Sequence, residues 1–159
     1  MRKIWEPLAG ILLAVVLQAT LGQISARILP AVNVFSWVVL YFAVLRHELY
    51  GAVMGTVCGL VQDSLSLGIF GVAGLTKTTL GVVAGYVSRK INVTPVTRSF
   101  VFLLILATLE LALWKFLVFS LFGERFSLDG GVALVQPFLT AFAGTVLIRT
   151  LGKTGQAME

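Results

Sequence analysis

The chain has 159 residues, of which 58% are hydrophobic and 12% charged, with a net charge of +5 and a mean hydropathy of +0.98. Soluble domains carry about a quarter charged residues, so this composition cannot wet a water-facing surface and the solvent must be lipid. No block of basic residues alternates with aromatics in a polar setting, which argues against nucleic-acid binding; the positive charge reads instead as membrane topology and contact with anionic lipid.

A helix needs about 20 apolar residues to cross roughly 30 Å of hydrocarbon. Six apolar stretches meet or approach that length. Span one is predicted at Pro7–Leu21, running on toward Ala26, with the proline in a first-turn position. Span two is predicted at Ile28–Leu45, span three at Leu49–Leu65, span four at Gly71–Val87, span five at Ser99–Leu121 and span six at Val132–Ile148. Spans three and four are the short ones, so their ends are expected to lie within protein. The expected fold is an all-α integral membrane protein with six transmembrane helices, a single domain over residues 1–159 without linker or extramembrane mass. Met1-Arg-Lys before an apolar run has the look of a signal peptide, but no small-residue cleavage site follows it, so the segment reads as an uncleaved span.

The basic residues set the orientation. With the N-terminus inside, the inner segments hold Arg2, Lys3, Arg46, Arg89, Lys90, Arg98, Arg149 and Lys153, and the outer ones hold only Arg27 and Arg125. That strong positive-inside bias places both termini in the cytoplasm. An odd number of spans would put Arg149 and Lys153 outside and weaken the bias. A single cysteine, Cys58, excludes an internal disulfide and argues against a metal site. The sequon Asn92-Val93-Thr94 falls in a cytoplasmic loop, where it is not glycosylated, and His47 sits in a tight cytoplasmic turn rather than among ligands.

The sharpest pattern lies in span three, where Gly51, Gly55, Gly59 and Asp63 follow one another at four-residue intervals. Such a stripe drifts by only about 40° per step and exposes bare backbone along one helical face. It serves either packing within the chain or docking of a partner helix. The turn after it, from Gln62 through Asp63, Ser64, Ser66, Gly68 and Gly71, is expected to reverse the chain, with Ser64 or Ser66 accepting the first amides of span four. Span four carries its own pair, Gly81 and Gly85, so spans three and four are expected to form a tight hairpin.

Three charges fall inside spans. Lys77 lies one to two turns into span four, and an ammonium there must snorkel or find an anion; Asp63, across the hairpin, is its expected partner. Glu110 lies near the middle of span five, where a carboxyl is either protonated or paired. Lys115 is five residues on, about 140° around the helix, and is not positioned to pair with it. Gln18 and Gln136 can hydrogen-bond between helices, while Trp5, Trp37, Trp114, Tyr41, Tyr50 and Tyr86 occupy anchoring positions. No P-loop, zinc spacing, catalytic carboxylate pair or activated nucleophile occurs, so the chain is not expected to be an enzyme or to hold a cofactor.

The run Tyr41-Phe-Ala-Val-Leu-Arg-His-Glu-Leu-Tyr-Gly-Ala-Val-Met-Gly-Thr-Val-Cys-Gly-Leu-Val-Gln-Asp63, then Ser64-Leu-Ser-Leu-Gly68-Ile-Phe-Gly71 and the span closing on Gly85-Tyr-Val-Ser-Arg-Lys90, resembles the MreD family of bacterial rod shape-determining membrane proteins. About a third of the chain carries this likeness; spans one, five and six match in hydropathy alone. The family often has an acidic residue after the proline that opens span two, and here Asn33 stands there. The resemblance implies a non-enzymatic component of the cell-elongation complex in the bacterial inner membrane. It further implies association with the single-span MreC, and through it with MreB, RodA and a class B penicillin-binding protein. The implied fold is similar to the substrate-binding subunit of energy-coupling-factor transporters. The outer end of the three–four hairpin and the glycine face of span three are the expected surface for MreC. The same fold offers a rival from another class, a vitamin-capturing transporter subunit that would dock its partner through Gly10 and Ala14. A proton-linked transporter using Glu110 is a third.

Overall fold

The structure is a computed structural model that describes residues 2–24, 33–46, 48–65, 70–91, 95–123 and 130–156. Among these residues the chain forms six helices: α1 (Arg2–Ile24), α2 (Val34–Leu45), α3 (Glu48–Leu65), α4 (Val72–Lys90), α5 (Val96–Phe122) and α6 (Gly130–Gln156). Two of them, over Trp5–Gln23 and Val96–Leu121, are long and apolar enough by themselves to cross a bilayer. Arg27, Pro30, His47, Ser66, Gly68, the Asn92-Val93-Thr94 sequon and Arg125 lie outside the described residues.

α3 and α4 are short, and the described part of α2 is shorter still. α3 and α4 run 18 and 19 residues, whereas α2 has only 12, about 18 Å of helix against roughly 30 Å of hydrocarbon. The described helix begins at Val34, capped by Asn33, whose side chain accepts a hydrogen bond from the Ser36 backbone N–H at 3.4 Å; the start expected at Ile28 lies outside the described residues. An asparagine at this position satisfies one of the free amides of a first helical turn.

A helix this short holds its place by being enclosed. α2 touches α1, α3, α4 and α6, and Val34, Phe35, Ser36, Val38, Val39, Leu40, Phe42 and Ala43 are all buried. Its two sides feed separate apolar clusters. One joins Val34, Phe35, Val38, Val39 and Phe42 to Ala14 of α1 and to Met54 and Cys58 of α3. The other joins Leu40 and Ala43 to Leu80 and Ala84 of α4, Phe102, Leu103 and Leu106 of α5, and Ala141 of α6. α1 lies at the periphery, packed mainly on α2.

α3 and α4 meet through backbone. A Cβ placed on Gly51 would overlap the carbonyl of Gly81, one on Gly55 the carbonyl of Lys77, and one on Gly59 the backbone of Ala73 and Gly74; Gly85 sits as tightly on Glu48. Small residues at every crossing point let two helices approach this closely. Thr56 and Thr78 add a hydroxyl hydrogen bond of 2.8 Å across the pair. At the end that the cation bias assigns to the cytoplasm, Arg46 pairs with Glu6 and Arg89 with Glu48 at 2.9 Å, while Lys90 lies 4.6 Å from the Tyr86 ring centroid.

Candidate functional site: a buried ion pair at the start of helix α2

Among the described residues, four buried polar side chains from three helices form one cluster. Asn33 and Ser36 come from the start of α2, Lys77 from α4 and Glu110 from the middle of α5. The Lys77 ammonium donates to Ser36 Oγ at 2.7 Å, to Asn33 Oδ1 at 3.2 Å and to Glu110 Oε1, with which it forms an ion pair. Ser36 Oγ donates to the same carboxylate oxygen at 2.6 Å, and Asn33 Nδ2 donates to it at 3.2 Å. Lys77 is only 1% exposed.

Every donor of the ammonium has an acceptor, which is the condition under which a charge survives burial. Ser36 and Asn33 each bridge the two charges, the serine by accepting from Lys77 and donating to Glu110, the asparagine through the two ends of its amide. Placing α2's first turn against α4 and α5 is therefore a joint requirement of all four side chains. The cluster fixes where α2 begins and how deeply it sits.

Lys77 and Asp63 do not pair. Asp63 instead caps α4 from across the hairpin: Oδ2 accepts from the amides of Gly71 at 2.8 Å and Gly74 at 3.2 Å, and Oδ1 from that of Ala73 at 3.2 Å. A helix N-terminus presents unsatisfied N–H groups and the positive end of its dipole, so it is itself a partner for a carboxylate. Gly71, which precedes the helix with φ of +97°, carries no side chain that could serve. Lys77 lies a turn and a half further along α4 and turns inward to Glu110. Asp63→Ala is expected to cost about 1–2 kcal/mol through the lost cap, read as a lower thermal midpoint in detergent. Combining it with Lys77→Met should give additive losses, since the two sites share no partner.

The remaining sequence candidates separate cleanly. Gly51, Gly55, Gly59, Gly81 and Gly85 lie in the α3–α4 contact, Gly71 opens α4, and Gly68 falls outside the described residues. The glycine face of α3 is covered by α4, the packing within the chain that was one of the two uses expected of it. Lys115 is exposed on α5, away from the cluster. Gly10 and Ala14 face α2, with Phe42 Cε2 3.2 Å from a Cβ on Gly10 and Ala14 fully buried. The patch that a carrier would use for docking is thus occupied within the chain. Gln18 does not form the interhelical bond expected of it, for its Oε1 is buried without a partner. Ser36 was not singled out by sequence reading, although it is the one serine on an otherwise apolar α2 and follows Asn33 by three residues. That spacing puts the two on one face.

Beside this geometry stands one likeness to known proteins. A family model described as rod shape-determining protein MreD matches residues 1–147. No curated protein and no solved structure matches the chain. The match extends well beyond the hairpin motifs and takes in the whole of the buried cluster, from Asn33 through Glu110. On that coverage, the chain belongs to the MreD family of rod shape-determining membrane proteins.

Proposed function

We propose that the protein is a non-enzymatic scaffold of the bacterial cell-elongation complex, crossing the inner membrane six times with both ends in the cytoplasm. In this reading it holds a single-span MreC-like partner and, through it, MreB, RodA and a class B penicillin-binding protein that build peptidoglycan. The bundle is of the kind found in the substrate-binding subunit of energy-coupling-factor transporters, put to a structural use.

The observation that carries this reading is that the interior charges are spent on each other. A carrier turns its buried polar groups toward a solute, whereas Lys77, Glu110, Asn33 and Ser36 form a closed set. Family membership supplies the process, rod-shape determination.

The deciding experiment is depletion of the protein in a rod-shaped host. Cells are expected to round up, and the wild-type chain to restore rods. Retained rod shape after full depletion would end the proposal. A purified chain carrying a bound vitamin would favour the carrier instead. Orientation is tested separately by labelling cysteines placed near each terminus, and labelling of one end only from the periplasm would remove the six-span arrangement.

A further inference from the structure

The lipid-facing side of α5 and α6 holds a groove of about 530 Å³ lined by Phe100 of α5 and by Val135, Phe138, Leu139 and Phe142 of α6, within the range of ligand-sized clefts. Phe142 and Val135 precede Arg149 on α6 by seven and fourteen residues, and Phe138 precedes it by eleven. Helical geometry puts these four on one stripe, with the guanidinium about 10 Å along the axis from Phe142. Arg149 is exposed and has no carboxylate partner among the described residues. Three other cations at this end are engaged, Arg46 by Glu6, Arg89 by Glu48 and Lys90 by the Tyr86 ring.

We propose that this groove is a binding site for an anionic phospholipid, with the headgroup phosphate on Arg149 and one acyl chain lying along Phe142, Phe138 and Val135. The proposal goes beyond the scaffold reading and borrows from it only the identity of the leaflet, the cytoplasmic one. Charge selects the ligand: an unpaired guanidinium at the membrane surface forms a bidentate contact with phosphate. Shape selects the chain. Helix–helix contacts in membranes need small residues so that backbones can approach, and the groove is walled by phenylalanine, valine and leucine. A flexible acyl chain threads between such side chains where a second helix is held off.

Arg98 supplies an internal control. It is also exposed, at the start of α5, but it lies two residues from Phe100, about 200° around the helix, and so faces away from the groove. The test uses the full-length protein in nanodiscs doped with photoactivatable phosphatidylglycerol or phosphatidylcholine, with labelling of α6 peptides read by mass spectrometry. Phosphatidylglycerol is expected to label the 135–149 region about fivefold more than phosphatidylcholine, the effect of one cation near an anionic headgroup. Arg149→Gln should abolish that preference, Arg149→Lys should restore part of it, and Arg98→Gln should leave it unchanged. Equal labelling by the two lipids, or an equal loss in the Arg98 and Arg149 variants, would overturn the site. So would a photocrosslinker at Phe138 that captures a protein helix in native membranes in place of lipid. An unchanged thermal midpoint in Arg149→Gln confirms that the bundle itself is intact.

Discussion

Lys77→Met will cost the folded bundle about 3–5 kcal/mol, the usual penalty for orphaning one member of a buried ion pair. The substitution keeps the apolar stem and removes the ammonium, so little volume is lost. What remains is a buried Glu110 carboxylate still held by Ser36 and Asn33 but without its counter-charge. Glu110→Leu is expected to cost at least as much from the other side, because it leaves the Lys77 charge buried and unbalanced. The double variant Lys77→Met/Glu110→Leu removes both charges together. It should lose clearly less than the sum of the two single losses, with a coupling of about 1–3 kcal/mol. Recovery stays incomplete because Asn33 and Ser36 then lack their partners, and each buried unsatisfied group costs about 1–3 kcal/mol. The measurements are unfolding midpoints in detergent for the four proteins. Strict additivity would mean that the two side chains do not act on one another.

This cycle also separates a structural Glu110 from a working one. If the cluster serves only to seat α2, the double variant regains rod-shape complementation along with stability. If Glu110 moves a proton in use, the double variant folds and still fails to complement. The scaffold reading requires the first result.

How much of this was legible beforehand differs from feature to feature. Helix identity and most boundaries follow from hydropathy alone, since each apolar run is long relative to the polar breaks around it. The hairpin was legible because glycine at four-residue intervals has few other uses in a membrane helix. Hydropathy does not see caps, and nothing in it marks Asn33, whose side-chain oxygen opens the described part of α2. The partner of Lys77 was misjudged for a related reason. Asp63 and Lys77 are close along the hairpin, so sequence separation favours them, but Asp63 already had three backbone amides to satisfy. Glu110 lies 33 residues from Lys77 and reaches it only through the packing of α4 on α5, which no local pattern encodes.

Gly55→Ala is expected to destabilise the protein by about 2–3 kcal/mol, although alanine is the better helix former by roughly 1 kcal/mol. The added methyl would fall on the Lys77 carbonyl and the Cα of Thr78, which are helix backbone and cannot swing aside. The axes of α3 and α4 must then separate along their whole contact, also loosening the meeting of Gly51 with Gly81 and of Gly59 with Gly74. Gly74→Ala in the same hairpin tests whether this is a matter of local space. A Cβ there meets the Leu60 side chain at 3.3 Å from Cδ2 and backbone only at an ordinary 3.8 Å, from Leu60 N; that side chain can rotate, so a change of under about 1 kcal/mol in either direction is expected. Thermal midpoints of the two variants against wild type decide the matter, and equal losses would mean that the close backbone approach is not what holds the hairpin. The same pair bears on the partner surface. If the glycine face acts only between α3 and α4, loss of rod shape in Gly55→Ala will track loss of folded protein and reverse at lower temperature. A variant that keeps its midpoint yet fails to support rods would instead place a partner on this hairpin.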